Sequence, residues 1–206
     1  MKTHEIKKPP SVDVLVEAFG RQVRPFILDS AQSRYGLGEW SFFGAEPFSV
    51  LRDVDLAEVR REMLGHPMTS HQWIPFCGGA VGYISYDYGR RLEAMPDLAA
   101  DDREVSDLYF ALYDGVAALH HPTGRLFLTG CGMSEAADVT INRMRGWLDR
   151  PEPIRERPLQ LGAWEWNMTE QAFCNAVERI RGYIAAGDVY QVNLSHRARC
   201  SFEGDA

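Results

Sequence analysis

The sequence predicts a β-rich α/β fold, and three features of its patterning carry that expectation. Short apolar runs punctuated by glycine and proline recur from Val23 to Leu128. Two β-prone runs meet at His-His-Pro-Thr-Gly (residues 120–124), the signature of an antiparallel hairpin. After a proline-rich stretch, Phe173, Val177, Ile180 and Ile184 fall on one face of a helix.

Taken in order, Pro25–Leu28 and Trp40–Phe43 read as short strands, with Gly36 and Gly38 between them. Asp55–Leu64 (DLAEVRREML) reads as a short helix ended by Gly65 and Pro67. Phe76–Tyr86 is apolar and glycine-rich, which suits a strand packed closely against another backbone. Leu108–Leu119 and Arg125–Leu128 form the two arms of the expected hairpin. Ser134 is placed to cap a helix reaching about Leu148, with Ile141, Met144 and Leu148 on one side.

Pro151, Pro153 and Pro158 among charged residues predict a linker over residues 151–164, dividing a first region (1–150) from a second (165–206). In the second, Asn167 or Thr169 caps a helix through about Ala186, and Gly187 ends it. Val189–Cys200 alternates as a strand, with Tyr190, Val192 and Leu194 on one face and Gln191, Asn193 and Ser195 on the other. A helix and one strand cannot bury a core of their own. The chain therefore reads as one complete β-rich region plus the first elements of something larger.

Composition narrows the function classes. Of 206 residues, 45% are hydrophobic and 25% charged, the balance of a globular protein rather than a disordered or fibrous one. A net charge of −7 argues against nucleic acid as a partner. No apolar run approaches the roughly 18 residues of a membrane-spanning helix, and the charged N-terminus lacks the apolar core of a secretory signal. Cys77, Cys131, Cys174 and Cys200 are too scattered for a zinc site or a disulfide framework, so a cytoplasmic location is expected.

Few residues stand out as chemistry. Gly78–Gly82 lacks both the Gly-Lys-Ser/Thr ending of a phosphate loop and the dinucleotide glycine spacing. His120 and His121, adjacent on a strand, point to opposite faces, so a solvated turn is expected rather than a metal site. Tyr83, Tyr86, Tyr88 and Trp73 read as an aromatic packing cluster. No nucleophile elbow, carboxylate pair or cysteine nucleophile is evident. The remaining polar signal is the Gln191, Asn193, Ser195 face.

Five stretches go further: Phe26–Ser30 (FILDS), Trp40–Pro47 (WSFFGAEP), Gly78–Glu93 (GGAVGYISYDYGRRLE), Asp107–Phe110 (DLYF) and Gly187–Ser195 (GDVYQVNLS). In this order they resemble component I of aminodeoxychorismate (para-aminobenzoate) synthase, in the anthranilate synthase component I superfamily, and the resemblance runs from about residue 23 onward. The Gly187–Ser195 stretch favours the aminodeoxychorismate branch over anthranilate synthases, which more often lack its asparagine.

The resemblance implies two β-sheets packed together with helices outside, incomplete at the C-terminus. It implies amination of chorismate at C4, in folate precursor synthesis, with ammonia from a glutamine amidotransferase partner and with Mg2+ required. The family's lysine nucleophile and magnesium-binding glutamates lie in the C-terminal half, so residues 1–206 alone are expected to be inactive and to bind no metal. Ser30 matches the serine of the family's tryptophan pocket, and Leu37, Gly38, Glu39 and Trp40 match its other wall. Glu39 stands where relatives commonly carry arginine, which disfavours a ligand carboxylate. Gln191 stands where water-using relatives have a lysine that activates water, which marks it as an active-site neighbour selecting the nucleophile. The alternatives are an anthranilate synthase or related chorismate enzyme, or a non-catalytic module for ligand binding or partner docking.

Overall fold

Strand alternation sorts the apolar side chains of the first part of the chain into three cores. The computed structural model describes residues 1–32, 36–66, 70–96, 101–102, 105–149 and 159–204, and the chain divides into two units, Met1–Ile154 and Arg155–Ala206. The first unit runs β1 (Lys2–Ile6), α1 (Val12–Gly20), β2 (Phe26–Leu28), β3 (Trp40–Gly44), β4 (Ser49–Arg52), α2 (Leu56–Leu64), β5 (Gly79–Ile84), a 3-10 turn (Tyr86–Arg91), β6 (Leu108–Tyr113), β7 (Ala117–His120), β8 (Arg125–Gly130) and α3 (Ala137–Leu148). Its strands make a five-stranded sheet, β1-β8-β7-β3-β2, and a three-stranded sheet, β4-β6-β5.

On β7 and β8, Ala117, Leu119, Leu126 and Leu128 face α1 and α3, where they meet Leu15, Phe19, Ile141 and Met144. The alternate residues, Ala118 and Phe127, face the second sheet and pack with Ala111 and Tyr113 of β6. Beyond that sheet, Val59 of α2 packs with Leu108 and Tyr88. Each fully buried Leu or Phe contributes roughly 1.5–3 kcal/mol to holding these layers together. Two face-to-face sheets with helices outside are what the family resemblance implies, and the fold has that arrangement.

The expected hairpin arm Leu108–Leu119 is broken. β6 pairs with β4 and β5 in one sheet, while β7 pairs with β3 and β8 in the other. Asp114-Gly115-Val116 carries the chain across. At Gly115 a Cβ would lie 2.0 Å from the Thr129 carbonyl oxygen, so only glycine permits the crossing. Ser134 does not cap α3, whose N-cap is Ala136. Its hydroxyl instead donates to Asp114 (2.8 Å), a carboxylate that also accepts the amides of Met133, Ser134 and Glu135. The buried acid thus outcompetes the helix end for that serine.

β1 and α1 were not foreseen. β1 is an edge strand with only His4 and Ile6 partly buried, so it carries little hydrophobic alternation. α1 is short and buries only Leu15, Ala18 and Phe19.

The second unit contains β9 (Gln160–Leu161), β10 (Glu165–Trp166), α4 (Glu170–Ala186), β11 (Ala198–Arg199) and β12 (Phe202–Glu203). Of the expected linker, residues 151–158 with its three prolines lie outside the described residues, and Gln160–Leu161 pairs with β12. Thr169 caps α4, accepting the Ala172 amide at 3.2 Å, and Gly187 closes it at φ +81°. The strand expected over Val189–Cys200 shrinks to β11, which pairs with β10. The preceding residues pair with no strand among those described, and an alternating pattern becomes a strand only where a neighbour accepts its hydrogen bonds.

Candidate functional site

β3 lies between β2 and β7, so a polar side chain near its start can reach residues following both neighbours. Ser41 does so. It is fully buried. Its hydroxyl lies 2.7 Å from Asp29 Oδ1 and 2.7 Å from His121 Nε2, and it accepts the Ser30 amide at 2.9 Å. Ser30 in turn donates its own hydroxyl to the Trp40 carbonyl at 2.7 Å.

The structure therefore joins Ser30 and Trp40 directly. Gly38 sits at φ +67°, where a Cβ would be 2.3 Å from the Gln32 carbonyl oxygen. The half-buried Glu39 holds the turn after β7 through its carbonyl, which accepts the His121 amide at 2.8 Å. Leu37 is 74% exposed. Residues 33–35 of this loop lie outside those described.

Asp29, Ser41 and His121 were missed as site residues. A lone serine inside the apolar run Trp40-Ser-Phe-Phe43 was the available signal, because a polar group in a packed strand needs partners. The two histidines do point to opposite faces, but neither belongs to a merely solvated turn. His120 packs on the Trp40 ring (centroids 4.6 Å) and meets the Thr123 hydroxyl at 2.8 Å. His121 engages Ser41.

The expected aromatic cluster separates into distinct packings. Trp73 packs on Trp40 (5.2 Å) and Phe127 (4.6 Å), beneath the Arg125 guanidinium. Tyr83 stacks on Tyr109, Tyr88 enters the core under α2, and Tyr86 is exposed. Burial, reinforced by the neighbouring Cys131, pushes the Cys77 thiol up to about 11, so it stays protonated near neutrality and is no nucleophile.

In the second unit, Gln191 is exposed, lies outside any strand, and donates its amide to Asn193 Oδ1 at 3.3 Å. Nearby in sequence, Trp166, Thr169, Phe173 and His196 line an open cleft of about 690 Å³, with the Trp166 and His196 rings stacked at 4.7 Å. Among the described residues, no group of three or more His, Cys, Asp or Glu is placed to hold a metal ion. No helix among them is long and apolar enough to cross a membrane.

Comparison with known proteins places this geometry in a family. Residues 20–206 match the family model described as chorismate binding enzyme. Aminodeoxychorismate synthase component 1 of Bacillus subtilis (strain 168) is 34% identical over 197 residues, covering 83% of this chain and 41% of the relative. The Escherichia coli (strain K12) protein of the same name is 30% identical, over 78% of this chain and 33% of that one. Anthranilate synthase component 1 1 of Haloarcula marismortui is 29% identical, over 80% and 38% respectively. The crystal structure of anthranilate synthase component I from Streptococcus pneumoniae TIGR4 shares the fold, with a TM-score of 0.61 at 21% identity, over 89% of this chain and 46% of that one. The chain thus spans less than half the length of these relatives. With most of its residues matched and its two-sheet fold shared, the chain belongs to the chorismate-binding enzyme family.

Proposed function

We propose that this chain is part of component I of an aminodeoxychorismate synthase, which replaces the C4 hydroxyl of chorismate with ammonia from a glutamine amidotransferase partner. The observation that carries this reading is the Gly187–Ser195 stretch, whose sequence resembles that branch and whose Gln191 presents a carboxamide where a lysine would activate water. A carboxamide donates and accepts hydrogen bonds but takes no proton, so it can orient a nucleophile without turning water into a competitor. The names of the Bacillus and Escherichia relatives support the same branch.

In this reading residues 165–206 begin the chorismate-binding domain, and the exposed Trp164, Trp166, Tyr183, Ile184 and Phe202 suit a surface covered by the rest of it. In the complete enzyme Mg2+ would supply Lewis-acid polarisation of the leaving hydroxyl. Ser30 and Leu37–Trp40 line a pocket for a tryptophan-like ligand, and the protein works in the cytoplasm.

The test is product analysis of the complete enzyme given chorismate, Mg2+, glutamine and an amidotransferase subunit. Aminodeoxychorismate is expected, and residues 1–206 alone should form none. Anthranilate as the product would move the chain to the anthranilate synthase branch favoured by the Haloarcula relative. Absence of any conversion by the complete enzyme would leave the non-catalytic module.

A further inference from the structure

We infer that Ser41 is the positioning residue for Ser30 and that His121 acts through it, tying the turn after β7 to the wall of the proposed pocket; this rests on the pocket reading above. The argument is a count of protons. A serine hydroxyl has one proton to give and two lone pairs to receive with. Ser41 has three neighbours at hydrogen-bond distance: Asp29 Oδ1 at 2.7 Å, His121 Nε2 at 2.7 Å and the Ser30 amide at 2.9 Å. The Ser30 amide can only donate, so it occupies one lone pair. The Ser41 hydroxyl donates its one proton to Asp29 Oδ1. His121 must then fill the second lone pair, with its proton on Nε2. The opposite assignment, Ser41 donating to the ring, would leave two oxygens 2.7 Å apart with no proton between them.

Every valence of the fully buried Ser41 hydroxyl is used, and the three bonds draw two separate segments onto β3. Asp29 and Ser30 come from the end of β2, and His121 from the end of β7. The Ser30 side chain is pinned as well, since its hydroxyl proton goes to the Trp40 carbonyl at 2.7 Å. Both its amide and its side chain are therefore fixed before any ligand arrives, and what Ser30 still offers is a lone pair. The pocket wall is built to accept an N–H, such as an ammonium or an indole N–H, rather than to donate to a carboxylate. His121 is the outer member of this chain, only partly buried, and so the member most open to substitution without disturbing the core.

The experiment compares the 206-residue chain with its His121→Ala, His121→Gln and Ser41→Ala variants. Glutamine carries an N–H donor close to where Nε2 lies, and alanine carries none. Nitrogen NMR of the wild type should place the His121 proton on Nε2. Hydrogen exchange at the Ser30 amide should quicken by about three- to tenfold in His121→Ala and Ser41→Ala, and return toward the wild-type rate in His121→Gln. A neutral ring protonated on Nδ1 alone overturns the inference. So does unchanged exchange in His121→Ala, or His121→Gln exchanging as fast as His121→Ala. Should Ser41→Ala fail to fold, the two His121 variants decide. Calorimetry with L-tryptophan separates this from the pocket reading: tighter binding by His121→Gln than by His121→Ala supports both. No binding by either the wild type or its Glu39→Arg variant defeats the pocket alone, while tautomer and exchange still judge the positioning.

Discussion

A Cβ on Gly82 would lie 1.9 Å from the carbonyl oxygen of Tyr109. Gly82 sits on β5 opposite Phe110 of β6, in register from Gly79 with Tyr113 to Ile84 with Leu108. This glycine-rich stretch thus serves packing, letting two backbones approach closer than any side chain allows.

Gly82→Ala should therefore destabilise the first unit by about 3 kcal/mol, at the upper end of ordinary overpacking costs, because the atom in the way is backbone and cannot rotate aside. Urea unfolding followed by tryptophan fluorescence measures this. A loss under about 0.5 kcal/mol, the size of an ordinary surface substitution, would mean the strands separate freely at this point.

Asp114 supplies a pH-dependent contribution. Burial raises its pKa, but the amides of Met133, Ser134 and Glu135 and the Ser134 hydroxyl lower it more, and it ends below the ordinary carboxylate value. A folded pKa below the unfolded one, about 3.9, gives stability that is present above that pH and is lost as pH falls through the folded value. Asp114→Asn should cost about 2 kcal/mol at pH 7, the worth of hydrogen bonds to a charged acceptor. The gap to wild type should narrow below about pH 4. Denaturant melts from pH 2.5 to 7 check this, and a constant gap would show that the charge contributes nothing.

Much of the layering was legible because it rests on strong local patterns. α4 has a four-three-four apolar stripe, a Thr169 cap and a glycine stop, and each appears where the pattern puts it. What failed depended on contacts distant in sequence. Leu108–Leu119 is uniformly apolar, so nothing local reveals that Asp114–Val116 passes between sheets; that is set by the Thr129 carbonyl against Gly115. Ser134 has the right chemistry for a cap, but an acid twenty residues earlier claims it. Ser30 and Trp40 entered through family resemblance, whereas Ser41 and His121, eighty residues apart, become partners only once β3 pairs with β7.

Glu39 bears on what the pocket accepts. Its carbonyl fixes the His121 amide, so its backbone is held whatever the side chain. Replacing the acid by a base removes repulsion of a ligand carboxylate and adds attraction, about 1.4 kcal/mol or tenfold in affinity. Glu39→Arg should therefore bind L-tryptophan about tenfold more tightly by calorimetry. Equal or weaker binding would mean that the side chain faces away from the ligand.

Gln191 carries the sharpest chemical prediction. Its amide donates to Asn193, which holds the two carboxamides on one face of the segment after α4. Neither takes up or releases a proton near neutrality, so water beside them remains a poor nucleophile. A lysine at this position, once deprotonated, could remove a proton from water as a general base, a role typically worth 10²–10⁴ in rate. Ammonia would then have a competitor for chorismate. In the complete enzyme, Gln191→Lys should raise the share of hydroxylated product relative to aminated product, most of all when ammonia is limiting. Chromatography of the products measures the ratio directly. If the variant keeps both the wild-type ratio and the wild-type rate, Gln191 takes no part in choosing the nucleophile.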